Sequence, residues 1–317
     1  MTDCVWYISK YFGLPANRVG SRAFLLLREF PAFGVRPLVI TASGNHLFAS
    51  REFSEPSMTE TIDGLEICWL NLRKYAGAQS LGRIMSWVEF EWKLWRLPKQ
   101  NLPKPTVIVV SSLSLFTIFN GLRLRSRYEC RLIFEVRDIW PLTIVEEGGF
   151  SRRNPFVMVL QWIERLAYRK SDAIVGTMPN LAQHVREVAG STTPVHCIPM
   201  GIDPEQIGEP EPLPANYVAA HIPAGKFIVC YAGTIGKTNA LEVFFDTARN
   251  MQSQTGIHFL LVGEGDLKAD FQTKNADLPN VSFAPAFPLS PARPSAKSPP
   301  LTPPRRLRAR SGRPPIR

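Results

Sequence analysis

Four short stretches of this chain set charged side chains beside glycines or strand ends, where they could meet a ligand. Arg137 and Asp138 close the apolar run LIFEV and are followed by Trp140 and Pro141. If that run is a parallel strand, both stand at its carboxyl end, where open α/β sheets bind ligands. A guanidinium there can neutralise a phosphate, and a carboxylate can accept hydrogen bonds from hydroxyl groups. The structural alternative is an ion pair between neighbouring loops with Trp140 packed beneath. Gly20, Ser21 and Arg22 lie where the first strand pattern turns into a helical one. Gly20 lets the backbone approach an anion, Ser21 can cap the helix, and Arg22 in its first turn adds a charge-assisted contact. An ordinary turn, shaped by the glycine and capped by the serine, has the same residues. Gly233, Thr234, Gly236 and Lys237 follow another strand pattern, and the N–H groups of Thr234 to Gly236 suit a backbone nest for an anion. The bland counterpart for Lys237 is a solvated loop lysine. Gly263, Glu264 and Gly265 make a lone GxG after a strand, by itself no more than a tight turn.

Such turns need strands to hold them, and short β-branched runs alternate with helical patterns along most of the chain, the signature of parallel βαβ units. Strands are expected at Val5–Ser9, Pro37–Ala42, Leu65–Leu70, Thr106–Ser111, Leu132–Val136, Ala173–Thr177 and Val195–Pro199. The 3.6-residue period predicts helices at Ser21–Phe33, Leu81–Leu97, Leu113–Leu124, Pro155–Lys170 and Asn180–Ala189. Residues 1–202 thus read as one complete Rossmann-like domain. The prolines of 203–225 read as an interdomain linker. The alternation restarts with strand Phe227–Tyr231, helix Ala240–Met251, strand Ile257–Val262, helix Asp266–Lys274 and strand Asn280–Phe283. Residues 226–284 therefore read as a partial second Rossmann-like domain, cut off in its third strand.

From Pro285 the pattern stops. Residues 285–317 hold ten prolines, eight Lys or Arg and no acidic residue, so they supply most of the formal net charge of +10. That composition predicts a disordered tail and removes the basic charge as an argument for a nucleic-acid partner. The five cysteines are widely spaced, without a CxxC pair, and read as small core residues of a reduced protein. The five histidines show no metal-ligand spacing. The start has no long apolar segment of a secretory signal, and the most apolar run, TVIVVSSLSLFTIF, is too short to span a bilayer. A cytoplasmic protein is expected.

FEVRDIWP, AYRKSDAIVGTMP, VHCIPMGID, YAGTIGKTNALE and LLVGEGDLK occur in that order. As an ordered set, spanning about residues 4–284, they resemble glycosyltransferase family 4 enzymes of the GT-B fold, in particular the bacterial branch that builds surface polysaccharides and O-antigen. The resemblance implies a sugar transferred from a nucleoside-diphosphate sugar donor to a lipid-linked or polysaccharide acceptor, with retention, without a metal and without another cofactor. It makes Arg137 and Asp138 the catalytic candidates, Asp138 orienting an acceptor hydroxyl or binding a sugar. It assigns donor and phosphate contact to Gly20, Arg22, Gly233, Thr234, Gly236, Lys237, Gly263 and Glu264, with Lys237 as the diphosphate ligand. Relatives commonly carry an Arg and a Lys where this chain has Thr234 and Asn239, and Lys237 is offset by two.

Relatives also act on polyprenyl-diphosphate acceptors at the inner face of the plasma membrane, which implies peripheral membrane contact through RIMSWVEFEWKLWRL. Its Trp87, Trp92 and Trp95 equally fit a core stripe, and Glu89 and Glu91 would oppose an anionic membrane. The family's paired glutamates of the second domain have no counterpart here, so the resemblance implies a truncated or frame-shifted copy, inactive or impaired. Two alternatives stay open, a non-catalytic remnant or binding module and a GT-B nucleotide-sugar epimerase, with the ordered motifs favouring the transferase.

Overall fold

A computed structural model of the chain describes residues 3–14, 22–44, 51–73, 81–146, 148–201 and 212–286. Two compact units divide it, one reaching to Asp203 and the other starting at Pro204.

The first unit is built on eight strands: β1 (Asp3–Ile8), β2 (Val35–Ala42), β3 (Ser57–Ile62), β4 (Leu65–Leu70), β5 (Val107–Ser111), β6 (Arg131–Val136), β7 (Ala173–Gly176) and β8 (Val195–Cys197). Their order across the sheet is β3-β4-β2-β1-β5-β6-β7-β8. All neighbours are parallel except β3 and β4. Because crossover helices cover a parallel sheet on both faces, its strands are apolar on both sides. Along β1, Cys4, Trp6 and Ile8 join one core cluster, whereas Tyr7 joins another with Phe24, Val39 and Trp69.

The covering helices are α1 (Arg22–Leu27), α2 (Leu81–Arg96), α3 (Thr117–Tyr128), α4 (Leu142–Glu146), α5 (Pro155–Lys170) and α6 (Leu181–Ala189). The sequence marks the start of α5 twice: Pro155 occupies the first turn, and the Asn154 side chain accepts from the Phe156 N–H at 2.9 Å.

Three expectations differ in detail. The single helix expected over Ser21–Phe33 is α1 followed by a 3₁₀ turn, Phe30–Phe33, that contains Pro31 and ends on left-handed Gly34. A proline cannot continue the α-helical hydrogen bonding. Strand β3 was not expected, since SMTETI is polar and weakly alternating. The turn Asp63-Gly64, with φ of 47° and 80°, joins it to β4 as a hairpin. The Pro-rich stretch expected to be linker contains α7 (Ala215–His221), with Pro214 as its N-cap residue. A proline just before a helix leaves its hydrogen bonding intact.

The second unit carries β9 (Phe227–Ala232), α8 (Glu242–Asn250), β10 (Ile257–Val262), α9 (Lys268–Lys274) and β11 (Val281–Ala284), in a parallel sheet of order β11-β10-β9. Phe245, Phe259, Leu261 and Phe271 form its core. Cys4, Cys68 and Cys130 are buried as expected; Cys197 and Cys230 are exposed, a correction to their placement in the core. The Pro/Arg-rich residues from 287 on lie outside the described residues.

Candidate active site

The strand order of the first unit reverses at β1, which lies between β2 and β5. Beyond the carboxyl ends of strands at such a point an open sheet leaves a crevice. Arg137 and Asp138 follow β6, two strands from β1. Their turn is fastened to the end of β5: the Ser112 hydroxyl accepts from the Arg137 N–H at 2.9 Å and donates to the Asp138 carbonyl at 3.4 Å. Trp140 packs edge-on against Trp87, with ring centroids 5.7 Å apart. The Arg137 side chain is half-buried and that of Asp138 is exposed.

Beneath this turn lies a buried network that sequence reasoning missed. Glu135, on β6, accepts from the Tyr7 hydroxyl at 2.5 Å and from the Arg22 guanidinium at 2.7 Å. A second Arg22 nitrogen donates to the Ile198 carbonyl at 2.8 Å. Burial, reinforced by the adjacent Glu135 carboxylate, raises the Tyr7 hydroxyl well above its ordinary range, and the Arg137 charge only partly offsets this. Arg22, expected to meet donor phosphate, thus directs its charge at Glu135 and Ile198 at the start of α1. Gly20 and Ser21 lie outside the described residues. One signal could have found the network: a carboxylate inside an apolar strand run must have a partner.

A second carboxylate, the half-buried Glu91 of α2, accepts from Thr117 at 2.6 Å, from Asn120 at 2.8 Å and from Ser114 at 3.3 Å. Burial lifts its carboxyl to about 7, against the opposing pull of these donors and of the Lys10 charge. Relative to the ordinary value of 4.5, the folded state therefore holds an extra proton between about pH 4.5 and 7. Stability that this proton contributes is present at low pH and lost as pH rises through that window. Glu91→Gln is expected to abolish the slope. Urea unfolding at the two ends of the window should show the wild-type-minus-variant difference changing by about 3 kcal/mol.

In the second unit the two glycine turns meet. Gly233 donates its N–H to Val262 at 3.0 Å, and Ile235 donates to the Glu264 carbonyl at 2.9 Å. The Ile235 N–H, central to the expected nest, is thereby committed to the neighbouring turn. The Thr234 carbonyl accepts from Tyr231 and Asn239, both at 2.8 Å. Lys237 opens a 3₁₀ turn, Lys237–Asn239, with its side chain exposed. Glu264 pairs with Lys268 at 2.7 Å. Gly233, Thr234, Gly236, Lys237, Gly263 and Glu264 therefore share one end of the β9–β10 pair. Among the described residues, no group of three or more His, Cys, Asp or Glu side chains could hold a metal ion.

The family model described as Glycosyltransferase Family 4 matches residues 19–206, more than half of the chain. The chain belongs to glycosyltransferase family 4. It is a transferase, and its α/β architecture is of the GT-B type shared with solved glycosyltransferase structures. Sucrose-phosphate synthase from Thermosynechococcus elongatus is 14% identical, with a TM-score of 0.55 over 90% of this chain and 71% of that one. OtsA without ligand is 12% identical, with a TM-score of 0.60 over 90% and 74%. HepE from Anabaena in complex with UDP is 11% identical, with a TM-score of 0.50 over 90% and 70%. No curated protein matches the sequence.

Proposed function

We propose that this transferase moves a sugar from a nucleoside-diphosphate sugar to a hydroxyl of a lipid-linked or polysaccharide acceptor, in the synthesis of a surface polysaccharide such as O-antigen. The observation that carries this reading is the Arg137–Asp138 turn, held at the carboxyl end of β6 by Ser112. The family supports the class of reaction, and HepE, a likeness of fold that binds UDP, supports a nucleotide donor.

In this reading the acceptor oxygen forms the new bond to the anomeric carbon while the bond to the diphosphate breaks, and the acceptor hydroxyl gives up its proton to an oxygen of the departing diphosphate. Asp138 orients that hydroxyl, and Arg137 meets phosphate charge. Lys237 takes the diphosphate, with Gly233, Thr234 and Gly236 shaping the turn that carries it and Gly263 and Glu264 beside the nucleotide. Cations and N–H groups, without a metal, meet the charge of the leaving group. A lipid-linked acceptor would bring the protein into peripheral contact with the inner face of the plasma membrane.

The test is transfer of labelled sugar to membrane lipid extracts with a panel of donors. Turnover that needs an acceptor supports the transferase. Conversion of donor without acceptor would favour an epimerase, and acceptor binding without turnover a binding module. Turnover by the chain as it stands would also overturn the expectation of impaired activity. Lys237→Ala is expected to weaken donor binding about tenfold, the loss of one charge-assisted hydrogen bond, measured by calorimetry.

A further inference from the structure

The second unit leaves the first strand of its sheet with an open edge. Strand β9 pairs with β10 on one side and, among the described residues, with no strand on the other. In the first unit the corresponding first strand, β1, lies between β2 and β5. The hydrogen bonding shows which groups are left over. Phe227 donates its N–H to Gly256 at 2.7 Å and Gly233 donates to Val262 at 3.0 Å, so the odd-numbered residues turn their backbone groups toward β10. Backbone groups alternate between the two edges of a strand, and Ile228, Cys230 and Ala232 therefore present their N–H and C=O groups on the open side.

An open edge is ordinarily blunted by charge, proline or a bulge. FIVCYA has no charged residue and no proline, and its register with β10 runs unbroken from Phe227 to Ala232. Phe227 is 71% exposed, and Cys230 and Ala232 are exposed as well.

We propose that β9 is a dimerisation edge, pairing antiparallel with β9 of a second copy of this chain about a two-fold axis at Cys230. That axis sets Cys230 opposite its own copy, and Ile228 of each chain opposite Ala232 of the other. All three outward residues then have partners within the strand; a slip of two residues in either direction leaves one of them opposite a residue outside it. The contact is isologous, so the same apolar strand serves both sides. Phe227 shares a face with Val229 and Tyr231, which pack on the core of this unit. The two-fold carries its ring across from Gly233 of the partner, which has no side chain to obstruct it. Lys226, the charge that precedes the strand, is kept from its own copy: the two stand at opposite ends of the pair, roughly 27 Å apart at the rise of a strand, beyond the screening length of about 8 Å. The chain beyond residue 286 is a poorer occupant. Its prolines interrupt a ladder, and its longest proline-free run, RRLRARSGR, carries five arginines, for which β9 has no acidic residue.

The experiment is sedimentation velocity of the full chain over a range of concentrations, where a monomer–dimer equilibrium is expected. With copper-phenanthroline as oxidant, a disulfide between the two Cys230 thiols should trap the dimer. A hydrogen-bonded antiparallel pair sets its Cα atoms about 5.5 Å apart, within disulfide reach. Cys230→Ser should remove the cross-link and keep the dimer, and replacing the other exposed cysteine, Cys197→Ser, should keep both. Ile228→Lys with Ala232→Lys sets like charges opposite one another twice and should weaken dimerisation about tenfold. Ile228→Lys with Ala232→Glu makes both pairs attractive in this register and should restore it. A chain that stays monomeric at every concentration would overturn the proposal, as would a disulfide that maps to Cys197, or a Lys–Glu variant as weak as the double lysine. A monomer whose Cys230 resists maleimide would assign the edge to the tail instead. Should the lysine variants lose their cooperative urea transition, the position of the wild-type disulfide decides alone.

Discussion

Glu135→Ala is expected to destabilise the protein by about 3–5 kcal/mol, the range for removing one partner of a buried ion pair. The Arg22 and Glu135 side chains are 4% and 6% exposed, and their contact is 2.7 Å. Without the carboxylate, the guanidinium keeps, among the described residues, the Ile198 carbonyl, and its buried Nε has no partner among them. The Tyr7 hydroxyl loses its acceptor as well. The neighbouring elements β1 and α1 and the sequence-distant β6 are therefore loosened together, directly beneath the Arg137–Asp138 turn. Tyr7→Phe, which removes one hydrogen bond and leaves the ion pair, should cost about 1 kcal/mol. Urea unfolding of the three proteins gives the comparison. A Glu135→Ala loss below that of Tyr7→Phe would mean that Arg22 reaches water when released, and that the pair does little to hold the site.

Gly263→Ala should cost the second unit about 3 kcal/mol or more, by adding left-hand-side strain to a collision with backbone. Gly263 has φ of +151°, and a Cβ there would sit 1.9 Å from the Gly233 carbonyl oxygen. Neither partner is a flexible side chain that can swing aside. The same packing recurs one step on, where a Cβ at Gly265 would lie 2.1 Å from the Ile235 carbonyl oxygen. The GxG that looked like an isolated tight turn is the surface against which the Gly233–Lys237 turn is laid. Hydrogen exchange should report faster opening of β9 and β10 in the variant, while β5 and β6 of the other unit keep their protection. Unchanged exchange in β9 would show that the two turns can separate at little cost, and that their contact does not position Lys237.

Local patterns in the sequence determined much of this fold. Apolar runs of strand length, alternating with 3.6-period segments, placed seven strands of the first sheet and three of the second, because a parallel strand must be apolar on both faces whatever surrounds it. Ordered motifs identified the family, and the strand-end position of Arg137 and Asp138 followed from the run before them. The elements that escaped had weak or contrary local signals. Polar β3 is held by pairing with β4, and α7 follows prolines that suggested a linker. Tertiary structure alone decided which charges are available and which are consumed. Arg22 meets a carboxylate 113 residues away, and Glu91 turns inward to α3. Trp87 is core while Trp92 and Trp95, on the same helix, are open. Spacing along a helix shows that residues share a face, but what that face touches depends on chain segments far off in sequence, which only the folded protein brings together.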